Sequence, residues 1–409
     1  MVLYGQVALG PPGSGKTTYC NGMQQYLKLI GREAVVINLD PANEIPTASP
    51  TVKGDDEKEE NDDASKNTEE GEEDEAANRN CLPYDAFYDV CEDLVNLTTV
   101  MAELGLGPNG GLVYCMEYIE RHMDHVISTL KSRLLESSET KEIINPNTYI
   151  LIDLPGQVEL YTHCTCVRRI LYQLSKSFDI RLTAVNLVDA HACVDATKFI
   201  SAALLSTTSM IRLELPAVNV LSKIDLMERY TGAAEGGGGA TMPFNLDYFT
   251  ECQDLERLVD YIDSDPIGTN NVHNEEDLYE IEEDEEYRSA MQNARSTPFR
   301  KKHRKMHESL CEVIDDFGLL SFVPLNISDP VSVGRLVARV DKSNGYIFAS
   351  THGRRRQEEN DEDGMADMFC CAVQLDQESE YEAITDVQER FLGTFCDDVP
   401  ELLHQRRKL

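Results

Sequence analysis

Apolar runs and segments of helical spacing alternate along this chain, and most of the runs end on a polar or charged residue. Gln6-Val7-Ala8-Leu9 reads as a buried strand, residues 18–30 carry a helical pattern that stops before Gly31, and Ala34-Val35-Val36-Ile37-Asn38-Leu39 reads as a central parallel strand. Leu94, Val95 and Met101 begin a helix-like pattern, and 112–135 keeps one helical period through His122 and His125. Strands follow at 147–153, 181–189 and 217–221, separated by a mostly apolar helix over 195–213. Helical patterns at 244–262 and 306–317, a last apolar run at 319–327 and a closing helix over 332–340 complete the series. Strands bounded by helices in this rhythm predict an α/β fold with a doubly wound parallel sheet.

Composition changes that picture in two places. The net charge is −36, but residues 55–75 hold 13 acidic and 2 basic residues and residues 275–286 hold 9 acidic and none basic. The excess is therefore local, and these runs are expected as solvated, disordered insertions rather than as a property of the fold. The expected organisation is one domain over 1–350, with insertions at about 52–80, 232–241 and 264–290. A polar tail over 351–409 follows, with an amphipathic segment at 381–403. A surface this acidic argues against direct binding of nucleic acid. No window of about eighteen apolar residues is present, so no membrane span is expected. A glycine-rich loop so near Met1 leaves no room for a signal peptide, which predicts a cytoplasmic or nuclear chain.

The chain has 12 cysteines without a repeating spacing, expected as reduced and mostly buried thiols. His163, Cys164 and Cys166 lack a second pair at zinc-site spacing and are read as helix packing, and His122 and His125 as solvent-facing or capping residues. The basic run 300–305 is read as a solvated helix face, with a nuclear address or an anion patch as the alternative.

Gly10-Pro11-Pro12-Gly13-Ser14-Gly15-Lys16-Thr17 places glycines, a lysine and a threonine between a strand and a helix, the arrangement that binds a nucleoside triphosphate. The glycines let several N–H groups converge on a phosphate, and the helix start adds its positive end. Lys16 would bridge the terminal phosphates and Thr17 would offer a hydroxyl to Mg²⁺, with Ser14 and Thr18 in the same cradle. Asp40 closes a strand and faces the ligand crevice, although Asp40-Pro41 also reads as a turn former. Asp153 ends the next strand and runs into Leu154-Pro155-Gly156-Gln157-Val158-Glu159, the pattern of a metal-linked carboxylate and a γ-phosphate sensor. Ser222-Lys223-Ile224-Asp225 resembles the guanine-reading Asn/Thr-Lys-x-Asp motif, with a serine in the first place. Asp225 would accept from the N1 and N2 protons of guanine, a donor pair that adenine lacks.

Taken in order with Gly107-Pro108-Asn109 and Pro324-Leu325-Asn326-Ile327, these motifs resemble the GPN-loop GTPases, over about residues 1–346. The resemblance implies a phosphate-loop GTPase of the dimerising, nucleotide-sandwich type, using GTP, GDP and Mg²⁺. It implies that Gly107, Pro108 and Asn109 act in trans near the γ-phosphate, and that Asp40, Gln157 and Glu159 orient the attacking water. It also implies Asp153, Thr17 and Asp40 on the metal side, and Gly13, Gly15, Gly156, Ser222 and Lys223 among the nucleotide contacts. A homodimer, or a heterodimer with GPN-loop paralogues, acting with chaperones in assembly and nuclear import of RNA polymerase II, and by extension III, is implied in the same way, as is shuttling to the nucleus. Two other readings stay open at this point: a phosphate-loop kinase, and a scaffold in which nucleotide only sets the shape of a dimer.

Overall fold

The computed structural model describes residues 2–43, 82–136, 148–227, 242–264, 298–346, 384–385 and 387–388. The expected insertions lie outside these residues apart from Ser264, and so does the expected tail apart from four positions near Ile384.

Strand β1 (Leu3–Leu9) is buried at every position, as a strand covered on both faces must be, and leads through the glycine loop into α1 (Lys16–Leu29). Strand β2 (Glu33–Asn38) follows, then β3 (Ala86–Asp89) and the short helix α2 (Val90–Asp93), whose N-cap is the Asp89 carboxylate. Helices α3 (Leu97–Leu104), α4 (Pro108–Arg121) and α5 (Met123–Glu136) precede β4 (Thr148–Asp153). Next come α6 (Glu159–Thr162), α7 (Cys166–Phe178) and β5 (Ile180–Asp189). A 3-10 turn (Ala190–Val194), α8 (Ala196–Leu213), β6 (Ala217–Ser222) and a second 3-10 turn (Ile224–Leu226) follow. The described chain closes with α9 (Leu246–Glu251), α10 (Glu256–Ser264), α11 (Pro298–Phe317), β7 (Phe322–Pro324) and α12 (Pro330–Asn344).

Among the described residues the strand order is β3-β2-β4-β1-β5-β6-β7. From β1 the chain builds one edge through β2 and β3, fills the gap with β4, and then builds the other edge through β5, β6 and β7. That reversal is the doubly wound pattern, and the pairings β1 with β4, β2 with β3 and β4, and β6 with β5 and β7 are all parallel.

The chain divides into two compact units, Met1–Pro12 with Lys16–Leu182, and Gly13–Gly15 with Thr183–Leu409, so β5 is divided between them. In the first unit, Met23 and Leu27 of α1, Tyr149 of β4 and Met116 and Ile119 of α4 are fully buried. The second has its own core, in which Phe199 of α8 meets Phe249 of α9 edge to face at 4.8 Å and Phe322 of β7 at 5.9 Å. Ile384 is buried in the same cluster and Val387 packs against it, so these two residues of the expected tail join that core. Inside the second sheet segment, Asn186 donates to Asn219 across the β5–β6 register at 2.9 Å, and Asn219 passes a bond to the Ser321 carbonyl at 3.3 Å.

Four elements differ from the sequence pattern. Strand β3 is absent from it, because four residues after Pro83 carry little periodicity and their extended form is set by pairing with β2. The single helix expected over 112–135 is two, broken at His122, whose amide and ring turn back to the carbonyls of Tyr118 and Ile119. The helix expected over 244–262 is also two, because Cys252 and Asp254 take left-handed backbone, with φ +50° and +56°. Finally, α11 begins at Pro298, so the basic run lies inside a helix, where Arg304 donates to Glu308 one turn on at 2.9 Å.

Asn186→Ala would strip Asn219 Oδ1 of its buried donor. It is expected to cost about 1–3 kcal/mol of stability, measured as a lower midpoint of denaturant unfolding.

Candidate functional site

In the first unit the residues singled out from the sequence gather at the carboxyl ends of β1, β2 and β4. Register puts Asp153 opposite Ala8 of β1 and Asn38 of β2. Lys16, the first residue of α1, is buried, and its ammonium donates to the carbonyls of Gly10 (3.1 Å) and Pro11 (3.2 Å). Burial lowers its pKa below the usual lysine value, while Asp153 and then Asp40 pull it back.

Asp153 is 1% exposed, and its pKa is pushed up to about 6, chiefly by burial. The Tyr84 hydroxyl donates to its Oδ2 at 2.9 Å, and that bond, Lys16 and the Thr17 hydroxyl oppose the rise while Asp40 adds to it. Oδ1 has no partner within hydrogen-bonding geometry. Asp40 follows β2 and accepts the Ala42 amide at 2.9 Å, the turn its Asp-Pro sequence promised, yet it also lies in the field of Lys16. Its pKa is raised by burial, against the Ala42 amide and Lys16. Asp40 thus serves as a turn former and as one of the carboxylates around the lysine.

The turn after β4 is shaped around the same ammonium. A side chain on Gly156 would place its Cβ 2.6 Å from Lys16 Nζ and 3.0 Å from the backbone of Pro12. The buried Tyr161 of α6 donates to the Pro155 carbonyl and pins this turn. Gln157 contributes a buried Oε1 with no partner, whereas Glu159 at the start of α6 is exposed. Thr18 is exposed as well. Gly107, Pro108 and Asn109 also stand in solvent: Gly107 caps α4 and Pro108 occupies its first turn, where a proline ring is at home. The Gly-Pro-Asn triplet is therefore a helix start, not a free loop. Gly111, one turn in, is buried against Leu97 and Met101 of α3, so its missing side chain serves helix packing.

In the second unit, Gly13 and Gly15 take φ of +79° and +92°, which L side chains rarely adopt. Ser14 is buried, and its Oγ has no partner. Its carbonyl accepts the Ser222 hydroxyl at 2.8 Å, and the same hydroxyl lies 3.1 Å from the Val188 carbonyl. The serine in the first place of the motif thus ties the end of β6 to the loop. Lys223 donates to the Gly13 carbonyl at 2.5 Å and to Asp189 Oδ2 at 2.9 Å, while Asp225 is exposed.

Two residues at these clusters were not singled out by sequence reasoning. Tyr84 gave no signal, since a tyrosine after Leu-Pro is unremarkable until the fold carries its hydroxyl to Asp153. Asp189 had one: like Asp40 and Asp153 it closes an apolar strand. Among the described residues no group of three or more His, Cys, Asp or Glu is placed to hold a metal. Two carboxylates, a hydroxyl and water still suit Mg²⁺, which keeps much of its hydration and binds through one or two carboxylates and substrate phosphates. Asp153, Asp40 and Thr17 are the residues that would hold such an ion. No described helix is long and apolar enough to cross a membrane.

A strand, a glycine turn with a buried lysine, a helix and an aspartate at the end of the adjacent strand define an α/β protein of the phosphate-loop class. Residues 8–62 and 74–346 match a family model described as a conserved hypothetical ATP binding protein. The chain is 40% identical to GPN-loop GTPase QQT1 of Arabidopsis thaliana, over 85% of this chain and 87% of that one. It is 38% identical to GPN-loop GTPase 2 of Danio rerio (97% and 95%) and 33% identical to GPN-loop GTPase 2 of Saccharomyces cerevisiae (85% and 76%). This chain belongs to the GPN-loop GTPase family, and the relatives it resembles include several GPN-loop GTPase 2 proteins. It is also similar to the crystal structure of a GTPase in apo form from Pyrococcus abyssi, with TM-score 0.47 and 18% identity over 83% of this chain and 97% of that one.

Gly156→Ala is expected to drive the Lys16 ammonium off the Gly10 and Pro11 carbonyls and to weaken nucleotide binding at least about tenfold, the effect of losing one charge-assisted hydrogen bond. Titration calorimetry with a triphosphate analogue reads this. Tyr84→Phe removes only the hydroxyl that holds Asp153 Oδ2. The expected outcome is an unchanged thermal midpoint within about 2 °C and a several-fold higher Mg²⁺ concentration for half-maximal nucleotide binding.

Proposed function

We propose that this chain binds GTP with Mg²⁺ and hydrolyses it to GDP and phosphate. The observation that carries the reading is the buried Asp153, with one oxygen fixed by Tyr84 and the other buried without a hydrogen-bond partner, in the field of Lys16 at the end of the phosphate loop. A bound triphosphate brings several negative charges, and Lys16, the amides of the loop and the start of α1 answer them. Thr17, Asp153 and Asp40 would hold Mg²⁺, which supplies neutralisation of charge on the phosphates. Gly156 leaves room for Lys16 and offers its amide to the γ-phosphate. Asp40, Gln157 and Glu159 orient the attacking water, a matter of position more than of early proton removal.

Guanine is preferred over adenine in this reading because the exposed Asp225 can accept two donors, and Ser222 and Lys223 are fastened to Ser14 and Gly13. The family model's description names ATP while the relatives' names say GTPase, and the Ser222-Lys223-Ile224-Asp225 arrangement favours guanine. Gly107, Pro108 and Asn109 are exposed, as a dimer in which they act in trans requires. Assembly and nuclear import of RNA polymerase II together with paralogues rests on family membership.

Titration calorimetry with Mg²⁺ against GTP analogue, GDP and ATP analogue, with light scattering on the same samples, tests the reading. The expected result is guanine-selective binding and a dimer in the triphosphate state. Equal binding of the ATP analogue would overturn the role of Asp225, and phosphate release that needs an added acceptor would make the protein a kinase. Glu159→Ala is expected to keep GTP binding and to lose turnover by about 10² or more. A wild-type protein that turns over no faster than this variant would be the nucleotide-regulated scaffold.

A further inference from the structure

The end of β5 holds a carboxylate that the reading above does not use. Register places Asp189 directly opposite Ser222, so the last residue of β5 stands beside the first residue of the guanine-side motif. Its two oxygens are divided. Oδ1 accepts the His191 amide at 2.9 Å and caps the 3-10 turn that follows. Oδ2 accepts the Lys223 ammonium at 2.9 Å.

Lys223 is held in an unusual state. Its backbone takes φ +60°, a left-handed conformation that side-chain-bearing residues adopt only when their surroundings enforce it. Its stem runs past Gly15, where a Cβ would sit 3.8 Å from Lys223 Cε, and its ammonium reaches the Gly13 carbonyl at 2.5 Å. The side chains of Lys223 and Asp189 are each about one-third exposed (33% and 31%), so the pair is partly removed from water, where an ion pair is stronger than at an open surface. A carbonyl alone is a weak anchor for a flexible lysine, and the carboxylate supplies the second point that fixes it.

We infer that Asp189 is a positioning residue for the guanine side of the site: it holds Lys223 against the phosphate loop, and through that hold it controls how fast a bound guanine nucleotide leaves. The inference rests on the reading that residues 222–225 recognise guanine. The plain alternative is that Asp189 only caps the 3-10 turn. That role accounts for Oδ1 and leaves Oδ2 unexplained. The two roles separate chemically, since asparagine caps as well as aspartate but presents a neutral group to the ammonium.

The test is release of fluorescently labelled GDP from the full-length protein, followed by stopped flow for wild type, Asp189→Asn, Lys223→Ala and the double variant. Asp189→Asn is expected to speed release about tenfold, the scale of one charge-assisted hydrogen bond, and to change it by less than about twofold when Lys223 is already alanine. Asp189→Ser, which also caps, is expected to match Asp189→Asn. Release by Asp189→Asn within about twofold of wild type overturns the inference and leaves Asp189 to the turn alone, and an equal acceleration in both backgrounds overturns it too, since Asp189 would then act without Lys223. A wild-type protein that binds GDP and ADP equally well overturns the guanine reading and this inference with it. A flat cycle in a guanine-selective protein removes only the inference.

Discussion

A buried ammonium is the constraint on which the first unit depends. Lys16 is buried, and burial lowers the pKa of its ammonium. The unit meets this by placing two carbonyls of the loop and two carboxylates around it. Parallel strands make such a gathering natural, because their carboxyl ends lie side by side and each can end in a side chain facing the same point. Asp153 stands in register with Ala8 and Asn38, so the pairing that builds β1, β4 and β2 also brings the second carboxylate to the lysine. The absence of a side chain on Gly156 follows from the same crowding.

The second unit uses the same pairing of a lysine with a strand-end carboxylate for a different end. There the lysine is Lys223, the carboxylate is Asp189, and the partner is again a carbonyl of the glycine loop.

Other features answer to packing. The exposed Gly-Pro-Asn triplet begins α4 because proline fits a helix's first turn, and Gly111 lets α4 lie close on α3. Cys166 is buried at the start of α7, where burial pushes its thiol up to about 11, as suits a packed cysteine better than a reactive one. The Asn186–Asn219 pair shows that a buried polar group can be kept where both partners are satisfied.

The sequence by itself determined the phosphate loop, most of the strands and helices around it, Asp40 and Asp153 at their strand ends, and the family. These are local: a turn of glycines before a helix, or an apolar run ending in aspartate, has its meaning written in neighbouring residues. What only the tertiary structure decided depends on residues far apart in the chain. Strand β3 exists because β2 offers it a ladder. Tyr84 matters because its hydroxyl meets a residue 69 positions away, and Asp189 because Lys223 lies 34 positions on. The breaks at His122 and Cys252 belong to the same class, since the apolar period runs on through them while the backbone turns to meet its packing. Periodicity reports which face of an element is buried, but a hydrogen bond between distant side chains leaves no pattern along the chain, because its two ends acquire their relation only when the sheet has formed.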